Sequence, residues 1–312
     1  MSLSDVALEP TLDASGEPCL DGRISYREGF TWFRVYGDDG EPDRLPVLCL
    51  HGGPGAAHDS LVAARSLAAT GRRVIFHDQY GCGRSSLPGP RPGLWNVELF
   101  VEELAEVRRA LDLDRIHILG HSWGGMLAVE HLFTRPEGIA SVVLASAPMS
   151  IPQWESEANR LLDAFGPDFA ATVRRHEAAG TLDDPEYLDA MAVFRARHFA
   201  ARRPQPTPWR PPEGVYLGND EVNRAMYGPL VFTVLGNFRE WNVIDRLGEI
   251  DVPVLVTCGR DDMATPEIAD TAHRGIAGSE MVIFEHSAHV PHADEPELFT
   301  AVVADFIARH EP

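Results

Sequence analysis

The 312-residue sequence predicts an α/β fold, a mostly parallel central sheet interrupted by a mainly helical insertion. Three observations carry that prediction. Short continuous apolar runs recur at 46–50, 74–76, 116–119, 141–146, 253–258 and 281–284, the pattern of strands buried on both faces. Helical segments separate the earlier runs, so strand and helix alternate. The alternation stops after residue 148 and resumes at residue 244, which leaves a long stretch of amphipathic helical pattern between. The expected division is a first core part at 1–148, a helical cap at 149–243 and a last core part at 244–312.

Taken in order, residues 1–20 are acidic and lack a basic start followed by an apolar run, so they read as a loose leader and not as a secretory signal. Residues 23–36 mix β-formers around Glu28-Gly29 and predict an antiparallel hairpin at the sheet edge. The strands 46–50 and 74–76 flank a segment, 60–70, that fits a helix. From 96 to 111, Val97, Phe100, Val101, Leu104, Val107 and Leu111 recur at three- and four-residue steps, which predicts a helix capped by Asn96. A strand at 116–119, a helix at 123–133 and a strand at 141–146 follow. Within the insertion, 203–212 is Pro-rich and predicts an extended loop. Strands at 253–258 and 281–284 resume the core, and a helix over 297–310 puts Leu298, Ala301, Val302, Phe306 and Ile307 on one face.

The 47 acidic and 27 basic residues give a net charge of −20. Such a surface repels nucleic acid and anionic membrane, so neither is an expected partner. No apolar run approaches the roughly 20 residues of a membrane span. Cys19, Cys49, Cys82 and Cys258 form no C-x-x-C pair, and Cys49 and Cys258 lie inside predicted strands. They read as reduced thiols, with a cytoplasmic location as the expectation. His273, His286, His289 and His292 form no H-x-x-x-H pattern, and no G-x-G-x-x-G follows a strand, so neither a metal nor a dinucleotide cofactor is expected.

Gly120-His-Ser-Trp-Gly124 matches G-x-S-x-G where a predicted strand turns into a predicted helix. That context is the nucleophile elbow of the α/β-hydrolase fold: the glycines permit a tight turn, which lifts the Ser122 hydroxyl above the sheet beside a helix N-terminus. His51-Gly-Gly-Pro-Gly55 follows the strand 46–50 and can turn a backbone N–H, that of Gly53, toward the nucleophile. The elbow supplies a second N–H from Trp123, and the two together make an oxyanion hole. The fold's chain order then calls for an acid and a histidine. Asp261 and Asp262 both follow the strand 253–258; in this fold the acid commonly stands three residues past the strand-ending Gly259, which points to Asp262. His286, His289 and His292 follow the strand 281–284. His289, after small Ser287-Ala288 and before the last helix, has the placement of the general base; His286 is expected to pack at the strand end and His292 to cap or line the pocket.

These residues resemble the prolyl iminopeptidase group of α/β-hydrolases. The resemblance runs from about residue 23 to the end and rests on His51-Gly-Gly-Pro-Gly55, Asp78-Gln-Tyr-Gly-Cys-Gly-Arg-Ser85, Gly120-His-Ser-Trp-Gly-Gly125 and Tyr227-Gly-Pro-Leu-Val-Phe232. It implies Ser122, Asp262 and His289 as a catalytic triad, Gly53 and Trp123 as oxyanion donors, and a cap that shapes the substrate pocket without a cofactor. Iminopeptidases bind a free N-terminal amine with two glutamates, and the matching positions here are Val231 and Met263. A buried ammonium without an anionic partner costs several kcal/mol. Either another cap acid (Glu155, Glu157 or Glu240) substitutes, or the substrate carries no ammonium there and meets an apolar pocket of Trp123, Tyr227, Val231, Phe232 and Met263. The expected activity is serine-dependent cleavage of a small amide or ester, in a small molecule or short peptide. An esterase or lactonase acting on an uncharged small molecule is the alternative, and a non-catalytic ligand receptor a third reading. Oligomeric state leaves no mark in the sequence.

Overall fold

The computed structural model describes residues 7–37, 44–85, 87–200 and 218–311. The Pro-rich segment 203–212 and the first six residues of the expected leader lie outside the described residues. The strands are β1 (Glu9–Leu12), β2 (Pro18–Tyr26), β3 (Gly29–Tyr36), β4 (Val47–Leu50), β5 (Val74–Asp78), β6 (Ile116–His121), β7 (Ile139–Ala145), β8 (Val254–Gly259) and β9 (Glu280–Phe284). They form one sheet in the order β1-β2-β3-β5-β4-β6-β7-β8-β9. Pairing is antiparallel from β1 through β3 to β5 and parallel from β5 to β9. The chain leaves β4 toward β5 on one side and returns to β6 on the other. The carboxyl ends of β4 and β6 therefore flank a topological switch point, where open α/β sheets place their ligands.

The apolar strands bury both faces. Leu48 and Leu50 of β4 join one core cluster with Leu104, Val107 and Leu127. Val47 and Cys49 join the other, with Leu61, Leu67, Phe299, Val303 and Phe306. Full burial of each large apolar side chain stabilises by about 1.5–3 kcal/mol relative to exposure. The helices α1 (Val97–Ala110), α2 (Trp123–Phe133) and α9 (Pro296–Ala308) supply these faces, and Asn96 caps α1 by accepting from Leu99 N at 2.9 Å. Between β7 and β8 the described residues form α3 (Ile151–Asp163), α4 (Pro167–Ala179), α5 (Pro185–His198) and α6 (Asp220–Met226). Helices α7 (Pro266–Gly275) and α8 (Pro291–Asp294) follow β8 and β9. Among the described residues no helix is long and apolar enough to cross a membrane. All four cysteines are free and buried.

Three local expectations are corrected. The leader is not loose throughout: β1 pairs with β2, and the Asp13 carboxylate ties their turn by accepting from Ser15 N, Glu17 N and the Tyr36 hydroxyl. The hairpin turn lies one residue earlier than expected, at Arg27-Glu28, because Tyr26 pairs with Gly29. Residues 60–70 are 3-10 rather than α, in the pieces His58–Ser60 and Val62–Thr70. Here the hydroxyls of Ser60, Ser66 and Thr70 each return to the carbonyl three residues back, at 2.8, 3.1 and 2.6 Å, and compete with the i−4 ladder.

The turn from β6 into α2 approaches its neighbours closely. Ser122 sits at φ 54° and ψ −120° and immediately precedes the helix. A Cβ on Gly124 would collide with the Leu50 carbonyl at the end of β4, and one on Gly120 with the Gly124 carbonyl. Gly124→Ala is therefore expected to destabilise the protein at the top of the ~1–3 kcal/mol range for overpacking, read as a lower urea midpoint.

Glu103, buried on α1, accepts the Thr31 hydroxyl at 2.5 Å. Burial pushes its carboxyl up from 4.5 to about 8, against the Thr31 and Tyr80 hydrogen bonds that favour the charge. The folded chain holds this proton where the unfolded chain has lost it, so the contribution is complete below about pH 4.5 and is lost as pH rises toward about 8. Stability is expected to fall by up to about 1.4 kcal/mol per pH unit in that window. Denaturant unfolding of Glu103→Gln between those limits is expected to show that slope removed.

Candidate active site

Ser122 is held by its backbone. Its N–H donates to the Ala145 carbonyl at the end of β7 at 2.8 Å, and its carbonyl accepts from Gly125 N at 2.9 Å as α2 begins. The half-buried side chain thus stands at the N-terminus of α2, over the carboxyl ends of β6 and β7.

Asp262 and His289 meet on the loops after β8 and β9. Asp262 Oδ1 lies 2.7 Å from His289 Nδ1 and accepts Ala264 N at 2.7 Å. Asp262 Oδ2 accepts Gly259 N at 3.4 Å. The carboxylate is buried, whereas Asp261 is exposed and contributes its carbonyl to His198 Nδ1 at 2.8 Å. With Nδ1–H donating to Asp262, the other ring nitrogen of a neutral His289 is left as an acceptor, the form a general base requires. Among the described residues no hydrogen bond joins Ser122 to His289. Such contacts often tighten only when substrate binds.

His286 is exposed, contrary to the expected packing, because its loop turns outward at Glu285; its N–H donates to Glu295. His292 is buried behind the site, where Nε2 donates to the Ser60 carbonyl at 2.8 Å and the ring lies 4.8 Å from that of His121. It therefore does not line a pocket. His121 is a residue the motif did not single out for a task. Its Nε2–H donates to the His289 carbonyl at 2.7 Å, which ties the elbow to the loop of the candidate base. Burial, with the His292 and His289 rings nearby, pushes its pKa well below the ordinary value, so it acts as a neutral donor.

The loop after β4 runs close over the elbow: a Cβ on Gly52 would stand 3.3 Å from Ser122 Cβ. Gly53 has φ 127°, a conformation that favours glycine, and a Cβ there would press on Gly55 N and Ala56 N. Among the described residues neither Gly53 N–H nor Trp123 N–H meets an acceptor. The Trp123 side chain does not line a pocket. It is fully buried between Phe100 and Phe238, with Nε1 donating to Gln79 Oε1 at 2.8 Å.

Of the expected substrate residues, Met263 is tied to the site: it follows Asp262, and its N–H donates to the His198 carbonyl at 3.0 Å. Tyr227 and Val231 are half-buried under the helices of the insertion, with Tyr227 edge-on to Trp154 at 5.4 Å. Among the described residues no hydrogen bond or ring contact joins either of them to Ser122 or His289. Phe232 is a packing residue, 2% exposed and edge-on to Phe194 at 4.8 Å.

The three cap acids weighed as substitutes are engaged. Glu155 accepts Val234 N, Glu157 pairs with Arg160 and accepts Thr265, and exposed Glu240 lies near Arg239. The acid that reaches Val231 is Glu177 on α4, which accepts Val231 N at 3.3 Å and the Tyr187 hydroxyl at 3.2 Å. Burial pushes its carboxyl up. It escaped the sequence reading because 54 residues separate it from Val231.

Among the described residues His176, Asp184 and Glu186 bring possible metal-ligand atoms within 4.8 Å of one another. Arg175 already pairs with Glu186 at 2.7 Å, and His176 Nδ1 is bonded to Thr181 at 2.7 Å. The group lies on α4, α5 and the turn between them.

Known proteins share this arrangement of chain and fold. A family described as the alpha/beta hydrolase fold matches residues 46–296. A proline iminopeptidase of Heyndrickxia coagulans is 40% identical over 287 residues, 92% of this chain and 98% of that protein. The crystal structure of the proline iminopeptidase of Mycobacterium smegmatis has a TM-score of 0.83 at 37% identity, covering 93% of this chain and 98% of that one. The crystal structure of VinJ has a TM-score of 0.83 at 36% identity with the same coverage. On its sheet, its matched family and relatives that span more than nine-tenths of its length, the chain belongs to the prolyl iminopeptidase-like α/β-hydrolases and is a hydrolase.

Proposed function

We propose that this hydrolase is a serine enzyme that cleaves a small amide or ester through an acyl-enzyme. The observation that carries the reading is the buried Asp262–His289 pair, 2.7 Å between Oδ1 and Nδ1, on a loop hydrogen-bonded to the residue before Ser122. His289 takes the Ser122 proton as the oxygen attacks the substrate carbonyl. Asp262 holds the imidazole tautomer and stabilises the imidazolium. The Gly53 and Trp123 N–H groups receive the oxyanion. His289 returns the proton to the leaving amine or alcohol, and water then releases the acyl group through the same base.

The iminopeptidase relatives favour an amide. The pocket argues that the substrate lacks an ammonium at the cap. Val231 and Met263 offer no charge, and one oxygen of each of the Glu155 and Glu177 carboxylates already accepts a loop N–H group. The same observation supports the second reading, an esterase or lactonase working on an uncharged molecule. The free, buried cysteines suit a reducing compartment such as the cytoplasm.

Three measurements test this. Ser122→Ala is expected to lower kcat by about 10⁴-fold or more, and near-normal turnover would refute the mechanism. Asp262→Asn is expected to cost about 10⁴-fold, since the amide disfavours the required imidazole tautomer, while Asp261→Asn stays within a few-fold. Prolyl p-nitroanilide is compared with its N-acetyl analogue and with p-nitrophenyl acetate. The amine-free pocket predicts that the unblocked arylamide holds no advantage in kcat/KM; a large advantage for it shows that an amino terminus is bound.

A further inference from the structure

Gln79 lies just past β5, outside the residues that would touch substrate, yet its side chain is buried between the two walls of the proposed oxyanion hole. Its Oε1 accepts the Trp123 indole N–H at 2.8 Å, and its Nε2 donates to the His51 carbonyl at 3.0 Å. The orientation is fixed by chemistry. An indole N–H only donates and a carbonyl only accepts, so the amide fits one way round. The backbone closes the same unit. Gln79 N donates to His51 Nε2 at 3.0 Å, while His51 Nδ1–H donates to the Gly52 carbonyl at 2.8 Å. One neutral tautomer of His51 satisfies both, and burial keeps that ring uncharged by lowering its pKa.

We propose that Gln79 is a positioning residue of the oxyanion hole, whose side-chain amide fastens the Gly52–Gly53 loop to the elbow and sets the spacing between the Gly53 and Trp123 N–H groups. The two groups come from separate parts of the chain, and Trp123 is a residue of each half: its backbone N–H faces the oxyanion and its indole grips the clamp. A transition-state oxyanion needs both donors at about 2.7–3.1 Å, whereas ground-state binding tolerates looser geometry. Loosening the clamp should therefore act on the chemical step and spare substrate binding. This inference rests on the serine-hydrolase reading above.

The test uses Gln79→Met, which removes both hydrogen bonds at similar size, and Gln79→Leu, which removes them with a branched side chain. Both are assayed with p-nitrophenyl acetate beside wild type and Ser122→Ala, with folded fraction followed by circular dichroism. The clamp predicts kcat lower by about 10- to 100-fold in both variants, with KM within about threefold. It also predicts a matching loss of affinity for phenylboronic acid, whose tetrahedral adduct fills the oxyanion hole. Full kcat in either folded variant, a change in KM alone, or a loss no larger than the fall in folded fraction overturns it. If one variant does not fold, the other decides. Undiminished turnover by Ser122→Ala overturns the serine-hydrolase reading and the clamp with it, whereas inactive Ser122→Ala beside fully active Gln79 variants overturns the clamp alone.

Discussion

The contact on which the site depends is the approach of the β6–α2 turn to the end of β4. Gly124 lies so close to the Leu50 carbonyl that no side chain fits between them. This closeness brings Ser122, at φ 54°, against the Gly-rich loop that continues from β4. A larger residue at the turn would push Ser122 away from the loop that faces it. The parallel pairing of β4 with β6 makes the approach possible, because it brings both carboxyl ends to one edge of the sheet. That pairing in turn follows from apolar runs buried on both faces.

From that contact the remaining parts are tied in by hydrogen bonds on either side of Ser122. His121 reaches the His289 carbonyl, and Trp123 reaches Gln79. The insertion is fastened to the same loops. His198 and Phe199, at and just past the end of α5, accept from Met263 N and His289 N. Asn219 N donates to the Gly55 carbonyl, and Asn223 Nδ2 to that of Pro54. The insertion therefore contacts the acid loop, the histidine loop and the Gly-rich loop. A change in its packing would reach the chemistry through these backbone bonds and not only through the shape of a pocket.

Much of this was legible in the sequence where one physical cause dominates a segment. The continuous apolar runs gave the parallel strands, and the periodicity of 97–111 with its Asn96 cap gave α1. Ser122 was legible because G-x-S-x-G stood between strand and helix, and the spacing past Gly259 singled out Asp262, whose carboxylate does meet His289. What stayed hidden depends on partners far along the chain or on local competition. β1 needs β2 to exist as a strand, and the 3-10 segment 62–70 turns on hydroxyl-to-carbonyl bonds that a hydrophobic pattern does not register. The sequence leaves Phe232 open between pocket lining and cap packing, and its contact with Phe194 is a pairing that no local pattern announces. Glu177 carries no motif signal, and Gln79, although it stands in the Asp78–Ser85 motif, shows no task there, because each acquires its partner only on folding.

The most direct measurement is to trap the covalent intermediate. Acid quenching of the enzyme during turnover of p-nitrophenyl acetate, followed by peptide mass spectrometry, is predicted to find an acetyl group on the peptide carrying Ser122 and to place it on that hydroxyl. Continued turnover with no adduct, or an adduct on another residue that Ser122→Ala leaves in place, would contradict the account.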